Sequence, residues 1–405
     1  MRKEVAVSDL KPGMYVAELD RPWTETPFKF QGFVLERAEQ IEVLQKYCKK
    51  VFVDPDRSEQ MAGLPEQTLA PMRSAVDLSR TKVAKHAEQT AVQDEFAVAI
   101  RKHAATAAAL MEAVLTPLKA GGTLDAGRIS EAVHGVTESV LRNPDAMLLF
   151  TQLREKSGYA HSHALDSSVY MIVFGRFLEM SRDDIGLLSH LGLLQDIGKV
   201  RLPNALIEKR DRLSVEEFEL AKKHVEYSAA ILRETPGLPA QLADLALLHH
   251  ERHDGSGYPG KLRGKEIGLI GSIGAIVDTF DALTARRPYA EPVAPSTALS
   301  MLYKWRGTFF DPFLVEQFIR CIGIFPIGST VELNSGETGI VIAQNLEKRL
   351  QPRVMVIRDA AGNPLRPQKL IDLSRGPKVA SGEPYRIKRT LEYGRIPVTA
   401  ENLFS

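Results

Sequence analysis

Four histidines and two aspartates are the side chains of this sequence best suited to act together: His163, His224, the adjacent pair His249-His250, Asp196 and Asp278. Imidazoles and carboxylates gathered in one interior are costly to bury unless a cation offsets their charge, and mixed nitrogen and oxygen donors suit iron, manganese or zinc. Each has a plainer reading when taken alone. An inward histidine is more often a hydrogen-bonded core residue than a ligand. Asp196-Ile197-Gly198-Lys199 could be no more than a helix end, with Gly198 as its cap and Lys199 complementing the dipole. The doublet His249-His250 favours the metal reading, whereas His86, His103, His134 and His190 have no evident partners and read as structural or solvated.

Helices are expected to carry these donors. Leu165, Val169, Ile172, Val173 and Phe177 recur at steps of three and four, which predicts a helix with one buried side and His163 at its N-terminal end. Ile185, Leu188, Gly192 and Gln195 share a face that brings Gln195 to the core beside Asp196. Leu242, Leu245 and His249 make a similar stripe, placing His249 and His250 on a helix with the first imidazole pointing inward. Gly271, Gly274 and Asp278 line one side of a later helix, and Asp281 follows three residues on.

The whole chain has 405 residues, 52 basic against 51 acidic side chains, 44% hydrophobic residues and 7% aromatics. Such a length predicts two or three domains, and the composition excludes a disordered chain. A net charge of +1 lacks the footprint of a nucleic-acid binder, so an anionic ligand must be met by local charge. Cys48 and Cys321 offer neither a disulfide framework nor a zinc spacing and fit the reduced thiols of a cytoplasm. No stretch reads as a leader or as the eighteen or so uncharged residues of a membrane helix, so a cytoplasmic protein without membrane insertion is expected.

The fold class predicted is mostly α. Residues 1–55 read as a small α+β module with an extended Met14-Tyr15-Val16, a helix from Glu39 to Tyr47 and a strand at Val51 to Asp54. Residues 56–76 read as a linker. Residues 77–128 read as a helical connector built on one long helix from Asp77 to about Leu118, able to pair across a homodimer. An all-helical domain follows over residues 129–325. Residues 326–405 read as a β-rich appendage with strands at Thr330–Leu333, Thr338–Ala343 and Arg353–Ile357.

The segment His249-His250-Glu251-Arg252-His253-Asp254-Gly255-Ser256-Gly257-Tyr258-Pro259 is followed by Asp278-x-Phe280-Asp281-Ala282-Leu283-Thr284-x-x-Arg287-Pro288-Tyr289. With Asp196-Ile197-Gly198-Lys199 upstream, these resemble the HD-GYP family over about Arg142 to Phe318. The stretch from Leu10 through Val16, Trp23 and Pro27-Phe28 looks like an N-terminal domain of unknown function often found ahead of it. The resemblance implies an HD-type phosphohydrolase that hydrolyses cyclic di-GMP to pGpG or GMP in bacterial signalling. It implies two divalent metal ions, iron or manganese ahead of zinc, held by His163, Asp196, His224, His249, His250 and Asp278, with Asp196 bridging. Asp196 and Lys199 would be catalytic, and Lys199, Arg287 and Tyr258 would meet the substrate.

Gln195 stands where the family usually has the histidine of its His-Asp pair. Its carboxamide would be a weaker ligand than an imidazole, so one ion is expected to lose affinity. A competing reading therefore makes the chain a cyclic di-GMP-responsive binding or scaffold module. Tyr159 replaces a glutamate of relatives with a third ion, so no trinuclear site is expected. His161 and His253 lie close to motif positions but should point elsewhere.

Overall fold

The structure is a computed structural model and describes residues 3–11, 14–20, 33–35, 38–53, 90–153, 159–209, 211–285 and 292–391. The chain divides into two compact units, Met1–Ala75 and Val76–Ser405.

In the first unit, strands β1 (Lys3–Ala6), β2 (Tyr15–Leu19), β3 (Phe33–Val34) and β4 (Lys50–Val53) form an antiparallel sheet in the order β1-β4-β2-β3. Helix α1 (Ala38–Tyr47) precedes β4 in the chain. Val51 and Val53 are buried while Phe52 between them is half-buried, the period of two expected of a strand with one face on a core. That core also takes Val16, Leu19, Leu35 and Leu44.

Helices dominate the second unit. Its first described helix, α2 (Val92–Ala109), runs on through a π-helical stretch at Leu110–Leu115 and a last turn at Thr116–Lys119. The expected single helix from Asp77 is corrected here, because Ala91 is extended at φ −74° and ψ 154° and the helix starts after it. Residues 77–89 lie outside the described residues. The apolar face of α2 is packed within this unit. Val92, Phe96 and Ala99 are buried in the helical core, and the Glu95 carboxylate binds Arg142 and Ser139 of α3 (Ala126–Arg142).

Next come α4 (Pro144–Leu153), α5 (Tyr159–Phe177) and α6 (Arg182–Leu194). They are followed by α7 (Val215–Lys222), α8 (His224–Arg233), α9 (Leu242–Ala246), α10 (Gly268–Thr284), α11 (Pro295–Trp305) and α12 (Pro312–Ile322). Helix α5 is buried on more than the one side expected, since Val169, Tyr170, Met171, Ile172, Val173 and Phe174 are all in the core. A helix with apolar residues all round is a central one.

Helix α10 has a similar character. With the turn before it, Gly264–Thr284, it is long and apolar enough by length and composition to cross a membrane, although Lys265, Glu266, Asp278 and Asp281 break the uncharged run expected of such a span. Ile273, Ile276, Val277 and Phe280 are packed in the helical core, where a largely apolar helix also belongs.

Strands β5 (Thr330–Leu333), β6 (Thr338–Ala343), β7 (Arg353–Arg358), β8 (Pro364–Asp372) and β9 (Ile387–Thr390) form an antiparallel sheet in the order β8-β7-β6-β5-β9. Alternation gives it two buried faces. Ile340, Ile342, Met355 and Ile357 join the helical core, and Val341, Val354 and Val356 form a second core with Val331 and Ile371.

Candidate metal centre

His163 sits in the first turns of α5, His224 begins α8, and Asp278 lies in α10. Asp196 follows the C-terminal end of α6 and precedes a 3-10 turn, Ile197–Arg201. That turn packs tightly on α8. A Cβ at Gly198 would stand 2.1 Å from the His224 carbonyl oxygen and 2.4 Å from the Ser228 nitrogen, so only glycine permits the approach. The Gly198 amide donates to Ser228 Oγ at 2.8 Å, which fixes Asp196 against the helix carrying His224. Gly198 thus serves a close approach rather than a left-handed helix cap.

His249 and His250 are not on a helix as expected. Helix α9 ends at Ala246, and tight turns follow in which Leu247 and Leu248 donate to Asp244 and Leu245. The turns still deliver both rings inward. Beyond them the loop folds back, with the Tyr258 amide donating to the His250 carbonyl at 3.2 Å. Gly257 makes the fold-back possible, because a Cβ there would lie 2.4 Å from the Arg252 nitrogen. Buried Glu251 holds the loop by accepting from the Gly260 and Leu262 amides at 2.5 and 2.9 Å. Tyr258 stacks on His250 with centroids 4.8 Å apart, and burial pushes its phenol upward from the usual range.

Two donor groups meet at Asp196. In one, Asp196, His224, His249 and His250 bring nitrogen and oxygen atoms within 4.8 Å of one another; in the other, His163, Asp196 and Asp278 do the same. Their protons can be traced. His224 Nδ1 donates to the Ala221 carbonyl at 2.7 Å and His249 Nδ1 to the Ala246 carbonyl at 2.8 Å. His163 Nδ1 donates to Asp281 Oδ2 at 2.6 Å. A ring that carries its one proton on Nδ1 leaves Nε2 as a lone pair for a cation.

These lone pairs converge on oxygens that cannot donate either. His224 Nε2 and His249 Nε2 lie 3.3 Å apart and 3.1 and 3.6 Å from Asp196 Oδ1, an atom with no hydrogen-bond partner. His163 Nε2 lies 3.0 Å from Asp278 Oδ1 and 3.3 Å from Asp196 Oδ2. Acceptors crowded in this way require positive charge between them, and divalent cations fit both groups. The carboxylates are charged. Burial raises Asp278, but a proton shared with His163 and positive charge on the nearby imidazoles outweigh it and hold the carboxyl well below its usual range; a cation between the groups would take the place of that proton and charge. For Asp196 burial is likewise outweighed, by Lys199 first. Burial lowers the pKa of His250, which favours the neutral ring that can donate a lone pair.

Gln195 is buried beside them. Its Nε2 donates to Asp278 Oδ1 at 3.3 Å, and its Oε1 has no hydrogen-bond partner. Lys199 Nζ reaches Asp196 Oδ2 at 2.6 Å. Arg287 lies outside the described residues, as do the side chains of Tyr159 and His161. His190 is structural, bonded to the Gly186 carbonyl at 2.8 Å and depressed by burial. In the sequence Asp281 is only the residue three on from Asp278, and the carbonyls of Ala221 and Ala246 have no sequence signal.

A cavity of about 1200 Å³ opens over the donors. His163, Asp196, His224, His250 and Asp278 stand on one side, with apolar walls from Leu115, Leu118, Leu206, Ile207 and Leu213. Lys119, Lys199, Lys209 and Arg212 line it together with the acidic Asp196, Glu208, Asp211 and Asp278, and Lys199 and Lys209 are paired with Asp196 and Glu217.

Residues 154–314 match an HD domain, residues 2–129 a domain of unknown function (DUF3391), and residues 330–380 a KOW domain associated with HD domains. The cyclic di-GMP phosphodiesterase PA4108 of Pseudomonas aeruginosa is 31% identical over 381 residues, which cover 93% of this chain and 90% of that protein. The 3'3'-cGAMP-specific phosphodiesterase 2 of Vibrio cholerae is 32% identical over 173 residues, covering 42% of this chain and 33% of that one. A cyclic di-GMP phosphodiesterase of Thermotoga maritima is 41% identical over 128 residues, 31% of this chain and 35% of its own length.

Proposed function

This chain belongs to the HD-GYP family, and from that premise we propose that it is a metal-dependent phosphodiesterase of the cytoplasm that hydrolyses cyclic di-GMP to pGpG or GMP. The observation that carries the reading is the meeting of imidazole nitrogens and carboxylate oxygens at Asp196, beside a cavity large enough for a dinucleotide.

Two divalent ions, iron or manganese ahead of zinc, would be held by His224, His249 and His250 on one side and by His163 and Asp278 on the other, with Asp196 shared. Such ions, when bound, acidify water and neutralise phosphoryl oxygens. The remaining work falls to the chain. Asp281 and the carbonyls of Ala221 and Ala246 fix the tautomers that leave Nε2 free. Lys199, paired with Asp196 at the cavity, offers N–H donors to an anionic diester, and Arg287 would supply a second cation. None of the described residues lining the cavity is Ser, Thr or Cys, which supports attack by water rather than by a protein nucleophile. Gln195 steadies Asp278 through its amide N–H, and its oxygen is the weaker donor of the set.

The test is incubation of the metal-loaded protein with cyclic di-GMP and chromatography of the products. Linear pGpG or GMP, abolished by a chelator and restored by Mn²⁺, is the expected result; an intact dinucleotide after metal loading overturns the proposal.

A further inference from the structure

Phe218 is 47% exposed, yet it forms part of the cavity wall. Its helix, α7, is fixed at its start by a capping box in which Ser214 Oγ accepts from the Glu217 amide and Glu217 accepts from the Ser214 amide. The Phe218 ring meets Tyr258 edge to face, with centroids 6.4 Å apart at 83°. Tyr258 in turn stacks on His250 of the donor cluster. Lys222 Nζ lies 4.9 Å from the Phe218 centroid and 5.3 Å from that of Tyr258, and is itself held by Glu219 at 2.6 Å. Both rings are thereby braced by one cation.

An isolated exposed phenylalanine needs no explanation. This one stands one ring beyond Tyr258, on the wall that continues through the apolar side chains of Leu206, Ile207 and Leu213. A flat apolar face at that distance from a phosphodiester centre matches a nucleobase, which every nucleotide carries close to its phosphate and which stacks on aromatic rings whatever its edge. We infer that Phe218, together with Tyr258, is the nucleobase-stacking site of this cavity and a determinant of substrate affinity. The inference rests on the phosphodiesterase reading and names how its substrate is gripped.

Steady-state kinetics on cyclic di-GMP, with metal content measured alongside, tests it in Phe218→Ala, Phe218→Leu and Phe218→Trp. Loss of the π-face in the Ala and Leu variants should raise KM about 5- to 100-fold, with metal content retained, and Trp should restore it. An unchanged KM in Phe218→Ala, or a Leu variant equal to the Trp variant, overturns the inference while leaving the phosphodiesterase reading intact. If the metal-loaded wild type turns over no cyclic dinucleotide, that reading fails, and calorimetric binding of cyclic di-GMP then decides for Phe218. Binding weakened by Phe218→Ala upholds the stacking site, and binding that is equal or absent in both proteins overturns it.

Discussion

Asp281 Oδ2 lies 2.6 Å from His163 Nδ1, and both side chains are buried. The carboxylate holds the proton on Nδ1 and turns Nε2 toward Asp196 and Asp278. Partners of this kind are worth about 10- to 100-fold in metal affinity. Asp281→Asn should therefore weaken cation binding by about that factor, read by competition with a chromophoric chelator. A tenfold smaller effect in Asp281→Glu, which keeps the carboxylate, separates orientation of His163 from general disturbance of the core.

Gly198 gives a test of the packing that sets Asp196. Its missing Cβ makes room for the carbonyl of His224, so Gly198→Ala must push the turn and α8 apart. Overpacking of this sort costs about 1–3 kcal/mol. We expect a lower melting temperature together with lost metal at the His224 side, whereas Ser228→Ala, which removes only the acceptor for the Gly198 amide, should cost about 1 kcal/mol. Denaturant titration of both variants checks the order.

Acid should loosen the contact between α2 and α3. Burial raises Glu95, but the fork of Arg142 at 2.8 and 3.0 Å and the Ser139 hydroxyl at 2.7 Å outweigh it and lower its pKa. A depressed carboxylate contributes stability above the pKa of the unfolded chain, near 4.5, and loses it as pH falls through the folded value. Unfolding free energy measured between about pH 6 and pH 3 should thus fall less steeply in Glu95→Gln than in the wild type. At neutral pH Arg142→Met, which strands the buried carboxylate, should cost about 1–3 kcal/mol, discounted for the partial exposure of the arginine.

Much of this site was legible in the sequence because ligand types and periodicity are local properties. His163, Asp196, His224, His249, His250 and Asp278 were all named from their residue types and motif positions, and they fall into the two donor groups. Helix boundaries were harder. A stripe of Leu242, Leu245 and His249 fits a helix as well as it fits a short helix followed by tight turns, since both point His249 inward. Periodicity also missed that α5 is central, because burial on its second side is decided by α6 and α10, which are distant in sequence. β8 and β9 were not read as strands. β8 carries Pro367 and mostly exposed polar residues, and β9 is a charged edge whose pairing with β5 depends on partners such as Glu332 for Lys388 and Arg389. Backbone carbonyls that set imidazole tautomers leave no sequence signal at all.

Gln195 illustrates the same limit. A glutamine at the position of the family's histidine suggests a weakened metal site and hence a binding or scaffold module. In the structure its amide donates to Asp278, and neither the geometry nor the relatives support the scaffold reading. Gln195→Leu should lower metal affinity by about tenfold through loss of that bond, measured in the same chelator competition.

Metal stoichiometry in single variants bears most directly on the shared role of Asp196. Mn²⁺-loaded protein is assayed by mass spectrometry for ions per chain, and the same samples are given cyclic di-GMP. About two ions are expected in the wild type, about one in His163→Ala and in His224→Ala, and almost none in Asp196→Ala, with hydrolysis lost alongside. Wild-type stoichiometry and wild-type hydrolysis in Asp196→Ala would contradict the account.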